Sequence, residues 1–157
     1  MPEFRLRDYT GRTFGNQQLR GRAVLVTFLE TKCRAACPIL AGQIGDALRL
    51  LPPDERGSVV AVAISTHPRD DTRASIRAFL RAHRVLGRMH YLLGTEAELR
   101  PVWRAFFVLS ALDSGDRDTH SASVRVFDRR GRWISTLHPR VDLTAENLAH
   151  DARAALR

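Results

Sequence analysis

The sequence predicts an α/β fold, a three-layer sandwich of helices around a largely parallel sheet, from three observations. Two apolar runs, Ala23 to Leu29 and Ser58 to Ser65, are nearly unbroken, as in strands covered on both faces. Each is followed by apolar residues at helical spacing. Near the C-terminus two short strand-like segments flank Asp128-Arg129-Arg130-Gly131, a hairpin signature, and a helical stretch closes the chain.

Taken in order, Phe4-Arg5-Leu6-Arg7 alternates apolar and charged residues, Tyr9 to Arg12 reads as a turn, and Thr13-Phe14 resumes, which predicts an N-terminal hairpin. Gly21 opens the strand 23–29. Ile39, Leu40, Ile44, Ala47, Leu48 and Leu51 then mark a helix that Pro52-Pro53 stops. The run 58–65 reads as a central strand parallel to the first. Residues 72–85 form a second helix, with Ile76, Phe79 and Leu80 inward and Asp70, Asp71 and Thr72 available as caps. Residues 88–93 make a short strand, and Thr95 with Glu98 forms a capping box for a helix that buries Leu99, Val102, Trp103 and Phe106. Residues 110–120 are a polar loop. Strands at 123–127 and 133–137 and a helix over 144–156 complete the chain. This order is that of a thioredoxin-like fold with an added N-terminal hairpin and an extra helix inserted before residue 110.

At 157 residues the chain fits one domain spanning 1–157, and such a length buries roughly 70% of the extended-chain surface without a disulfide scaffold. The net charge of +8 invites a nucleic-acid reading. Its distribution argues against one: of 25 basic residues all but Lys32 are arginine, spread from Arg5 to Arg157 with acids interleaved. The charge suits an acidic partner or an anionic surface instead. No apolar run approaches the roughly 18 residues of a membrane span, and Met1 to Arg5 lack the apolar core of a signal peptide.

The two cysteines sit in Thr31-Lys32-Cys33-Arg34-Ala35-Ala36-Cys37-Pro38, directly behind the first core strand, so a strand delivers both to a helix start. Unpaired N–H groups and the positive end of the macrodipole favour thiolate there. Two small buried hydrophobes are the plainer reading of the pair. In the predicted topology the strand beginning near Ser121 runs antiparallel to the first, so Asp118-Thr119-His120 returns to the cysteine edge. Two thiolates and one imidazole make a soft site, suited to Cu(I) through sulfur and to Cu(II) with the nitrogen added, while zinc would want a fourth ligand. Alternatively His120 is an idle surface residue, Asp70 and Asp71 are caps, and Trp103 and Trp133 are packing residues.

Several motifs together resemble the SCO/SenC proteins. They are Phe4-x-Leu6-x-Asp8-x-x-Gly11, Leu19-Arg20-Gly21-Arg22, Phe28 through Cys33-x-x-x-Cys37-Pro38, Ile64-Ser65-x-x-Pro68-x-Asp70-Asp71-Thr72, Leu93-Gly94-Thr95, Val102-Trp103, and His120-Ser121 with Asp128-x-x-Gly131. The resemblance covers nearly the whole chain. It implies a copper chaperone that helps assemble the copper centre of cytochrome c oxidase, with Cys33, Cys37 and His120 as ligands of one copper ion. It also implies a partner in the copper-bearing oxidase subunit or another redox or metal-transfer protein, and a domain held outside the cytoplasm by an anchor.

The chain departs from the family pattern at four places. Arg34-Ala35-Ala36 fills the gap between the cysteines beside Lys32, two cations that oppose metal binding while lowering thiol pKa. Thr119 stands where the family commonly has Asp. Ser65-Thr66-His67-Pro68 replaces Ser-Val-Asp-Pro, making His67 a substitute ligand, a proton relay or a capping replacement. Phe106-Phe107 replaces Tyr-Gly. A thiol-disulfide oxidoreductase, with Cys33 as nucleophile and Cys37 as resolving thiol, is the second reading. A peroxiredoxin-type peroxidase is a third, although such enzymes place Thr where this chain has Arg34. A docking module using the basic surface and loop 110–120 is a fourth.

Overall fold

In the computed structural model, which describes residues 1–110, 113 and 121–157, seven strands form one sheet in the order β2-β1-β5-β4-β3-β6-β7. The strands are β1 (Arg5–Asp8), β2 (Thr13–Gly15), β3 (Ala23–Leu29), β4 (Val59–Ser65), β5 (Met89–Leu93), β6 (Val124–Phe127) and β7 (Trp133–Leu137). The helices are α1 (Ala36–Leu50), α2 (Arg73–Ala82), α3 (Glu96–Ala105) and α4 (Ala145–Ala154). Strands β3, β4 and β5 are parallel, and an antiparallel hairpin is added at each side: β1 pairs β5, and β6 pairs β3. The predicted three-layer sandwich with its N-terminal hairpin and inserted helix is the observed architecture.

The period of two along the central strands decides the layers. Leu25 and Leu29 of β3 and Ala61 and Ala63 of β4 face α1, α2 and α4, whose Leu40, Ile44, Ile76, Leu80 and Leu148 belong to the same core. Val24, Val26 and Phe28, with Val60, Val62 and Ile64, face α3 through Leu99, Val102 and Trp103. Strands buried on both faces therefore read as continuous apolar runs rather than as alternation. The alanines on one face let helices come close. Gly45 of α1 lies against the segment that follows α2, where a Cβ would stand 2.8 Å from Val85 Cγ1.

Side-chain chemistry sets the element ends. Thr72 caps α2 by accepting from the Ser75 N–H, and Thr95 caps α3 within the expected box with Glu98. The Asp128 to Gly131 turn closes the β6–β7 hairpin, with Gly131 at φ +75 as the left-handed position requires. Trp103 is buried and donates from Nε1 to the Ser65 carbonyl at 2.9 Å, whereas Trp133 is half exposed and covers Arg125 together with Phe28.

Asp70 and Asp71 do not cap α2, contrary to the sequence expectation. Asp71 turns inward and accepts from the Thr31 N–H at 2.9 Å, the Ser65 hydroxyl at 2.7 Å and the Tyr91 hydroxyl at 2.7 Å. Asp70 faces Lys32 and His67 instead. Asp71→Ala strands two buried hydroxyls and the part-buried Thr31 N–H, so it should lower unfolding free energy by about 2–4 kcal/mol in urea titration, with the steepness of the transition unchanged.

Candidate metal centre

Strand β3 leaves the sheet at Leu29, and residues 30–35 cross to α1. The turn is held from both sides: the Thr66 N–H donates to the Leu29 carbonyl at 2.9 Å, and the Cys33 N–H to the Glu30 carbonyl at 3.3 Å. No side chain caps α1 at Ala35. A sulfur takes that place, because the Cys37 N–H in the first turn points at Cys33 Sγ, 3.4 Å away. The Glu30 N–H points in turn at Cys37 Sγ, also at 3.4 Å. The expected delivery of both cysteines to a helix start is thus met by a loop cysteine and a first-turn cysteine, both buried and not joined in a disulfide.

The two sulfurs differ in their electrostatics. Cys37 is held far above the ordinary thiol value of 9.0, most of all by its hydrogen bond with Cys33, then by burial, then by negative charge on Cys33. Glu30 adds to the rise through its charge, while its N–H works the other way. The sequence expectation that neighbouring cations would lower thiol pKa therefore fails at Cys37. One reason is visible at Lys32, whose ammonium is turned to Asp70 Oδ1 at 2.8 Å.

His120, Thr119 and Asp118 lie outside the described residues, as does most of loop 110–120. The chain on either side is described: the Ser121 N–H donates to the Leu109 carbonyl at 3.0 Å, and the Ser121 hydroxyl accepts from the Leu109 N–H at 2.9 Å. Two residues on, the Ser123 carbonyl accepts from the Thr27 hydroxyl at 2.9 Å, and Val124 stands opposite Thr27 in β3. Segment 121–123 accordingly starts at the sheet edge from which the cysteine loop departs.

His67 sits at this same edge, after β4. Its ring Nδ1 lies 3.1 Å from Asp70 Oδ2, and its backbone carbonyl accepts from the N–H groups of Asp70 and Asp71. It does not cap α2, a role Thr72 fills. Two further residues at this edge, Glu30 and Tyr91, escaped the reading of the sequence. Glu30 is a fully buried carboxylate, and Tyr91 donates to Asp71 and to the Leu29 carbonyl at 3.1 Å. An acid at the end of the nearly unbroken apolar run 23–29 and three before a cysteine was the available signal for Glu30.

The SCO1/SenC family model matches residues 1–157. The chain belongs to the SCO1/SenC family. It is similar to an SCO2-like protein of Rickettsia felis, 25% identical over 140 residues, covering 84% of this chain and 66% of that relative's length. A solved structure of Bradyrhizobium japonicum ScoI with copper bound is 27% identical, with a TM-score of 0.81 and 98% of each chain covered. A SCO1/SenC family lipoprotein from Bacillus anthracis is 19% identical, with a TM-score of 0.84 over 100% of this chain and 95% of that one. Within the SCO1/SenC frame, the dithiol at the start of α1 is the feature with soft-metal chemistry, and Glu30 and His67 lie at the same edge.

The raised Cys37 value has a consequence for stability. The unfolded chain ionises this thiol near pH 9.0 whereas the native chain holds its proton, so stability is full below that pH and falls above it. Urea denaturation of the reduced protein should show a loss approaching about 1.4 kcal/mol per pH unit beyond that point. Cys37→Ser should remove this component of the slope.

Proposed function

We propose that this SCO1/SenC protein is a copper-binding metallochaperone with a redox-active dithiol, serving assembly of the copper centre of cytochrome c oxidase. One copper ion is its cargo, held by Cys33, Cys37 and His120. The observation that carries the reading is the pairing of Cys33 Sγ on the first-turn N–H of α1 with the buried Cys37 beside it. Two adjacent sulfurs in a largely apolar setting favour Cu(I) over harder ions. The copper-bound ScoI relative, at 27% identity over nearly the whole of both chains, supports the same cargo.

The chain's own residues divide the work. The α1 N–H favours negative charge on Cys33, so this sulfur is the first to meet the ion. Cys37 keeps its proton until the ion displaces it, so loading by both sulfurs releases a proton and tightens as pH rises. His120 supplies a nitrogen for the Cu(II) state. The receiving partner is a metal- or redox-transfer protein, with the copper-bearing oxidase subunit as the specific acceptor; the basic surface and the 110–120 loop form the docking face. The protein works on the extracytoplasmic side of a membrane. Among the described residues no helix is long and apolar enough to cross one.

A second reading rests on the asymmetry of the two thiols, which also suits thiol-disulfide exchange. The Cys33 thiolate attacks one sulfur of a partner disulfide and displaces the other as a thiolate. The Cys37 sulfur, giving up its proton, then attacks Cys33 and releases the partner as a dithiol, leaving a Cys33–Cys37 disulfide.

Titration of the reduced protein with Cu(I) against a competing chelator separates the two. One equivalent should bind, and Cys33→Ser or Cys37→Ser should weaken binding at least a hundredfold. Cu(II) should give a thiolate charge-transfer band that His120→Ala abolishes. Copper binding indifferent to both cysteines would end the chaperone reading, and disulfide reduction without copper binding would establish the second.

A further inference from the structure

Beside the dithiol lies a different kind of donor set. Glu30 ends β3, His67 follows β4, and Asp70 stands one turn on; one ligand atom from each lies within 4.8 Å of the other two. Among the described residues this is the group of metal-ligating side chains that converges in this way, and neither cysteine belongs to it. We propose that Glu30, His67 and Asp70 form a second cation site, for a divalent transition metal of borderline hardness such as Zn(II), independent of copper on the sulfurs.

Four observations carry the assignment. The first is spacing: neighbouring donors about 2.1 Å from one ion stand about 3.0–3.4 Å apart, and His67 Nδ1 stands 3.1 Å from Asp70 Oδ2. Second, that nitrogen is shielded from solvent and makes no hydrogen bond, despite its nearness to the carboxylate. Third, Glu30 is fully buried at the end of an apolar strand, which sets a carboxylate oxygen inside the protein beside the other two donors. Fourth, the donors match in charge and type: two carboxylates balance a 2+ ion, and imidazole with carboxylate oxygen suits zinc and its neighbours.

The surroundings fix the donors in advance. Lys32 Nζ holds the other oxygen of Asp70 at 2.8 Å, which leaves Oδ2 turned to His67. The His67 carbonyl accepts from the Asp70 and Asp71 N–H groups, and its own N–H donates to the Ser65 hydroxyl at 3.2 Å, so the loop carrying two of the three donors is tied to β4. His67 and Asp70 retain partial exposure, 15% and 18% of their side chains, which gives an ion a way in while Glu30 forms the floor. The Glu30 backbone joins this site to the other, since its N–H points at Cys37 Sγ.

Zinc would also bind free thiols, so the test removes them. Calorimetric titration of the Cys33→Ser/Cys37→Ser chain with Zn(II) should show one equivalent bound. Wild-type protein oxidised to the Cys33–Cys37 disulfide should bind the same equivalent, which keeps the test valid if the double variant folds poorly. Adding His67→Ala should weaken Zn(II) binding at least tenfold, Glu30→Gln should do the same, and adding His120→Ala should leave it unchanged. Circular dichroism establishes that each variant is folded. No Zn(II) binding by either thiol-free sample, or binding unmoved by His67→Ala, would overturn the second site. Failure of the copper reading shows separately, as Cu(I) binding insensitive to the cysteines.

Discussion

Strand β3 is buried on both faces, so where it leaves the sheet its peptide groups have no water to turn to and must be satisfied by protein. The Asp71 carboxylate meets that need. It binds the Thr31 N–H just beyond the strand, the Ser65 hydroxyl at the end of β4 and the Tyr91 hydroxyl on β5, tying three neighbouring strands together. The Leu29 carbonyl completes the knot by accepting from the Thr66 N–H and the Tyr91 hydroxyl. Residues 30–35 depart from this fixed point, and the position of Cys33 over the start of α1 follows from it. A cysteine loop anchored in this way presents its sulfurs with little reorganisation when an ion arrives.

The same burial shapes the chemistry of the sulfurs. An uncapped helix start offers N–H groups to Cys33, while desolvation and the charges of Cys33 and Glu30 oppose a second thiolate at Cys37. A retained proton on Cys37 is the state that burial selects. A soft cation relieves it by displacing the proton and neutralising both sulfurs together, and exchange with a partner disulfide relieves it by converting the pair to an uncharged disulfide, so the metal-transfer and redox readings share one electrostatic origin. The cations flanking the cysteines in sequence matter less than their proximity suggests, since Lys32 is engaged by Asp70.

The opposite face shows how much polar chemistry this fold can hold in apolar surroundings. Arg125 of β6 lies between the rings of Phe28 and Trp133, 5.5 and 5.7 Å from their centroids, and burial lowers its pKa. Aromatic faces supply part of the stabilisation that water would otherwise provide. Phe28 thus packs against Phe106 at the C-terminal end of α3, shields Arg125 and belongs to the strand that leads to the cysteines.

Much of the architecture follows from local pattern. The continuous runs at β3 and β4, the Thr95–Glu98 capping box, the Asp128–Gly131 turn and the helical spacing behind Cys37 are each determined within a window of a few residues, because turn chemistry and hydrophobic periodicity act at short range. The placement of the cysteines at a helix start was legible for the same reason. What depended on contacts distant in sequence was not. Asp71 reads as a helix cap until Thr31, 40 residues away, is brought to it, and Glu30 reads as the first polar residue after a strand until the fold closes over it. His67 meets Glu30 only because parallel pairing sets the ends of β3 and β4 side by side, with Leu29 opposite Ser65. The sequence by itself determined the layers and the reactive pair, since both are written in local spacing. Tertiary structure alone decided which polar groups are buried together at the sheet edge, because desolvation and convergence are properties of the packed chain.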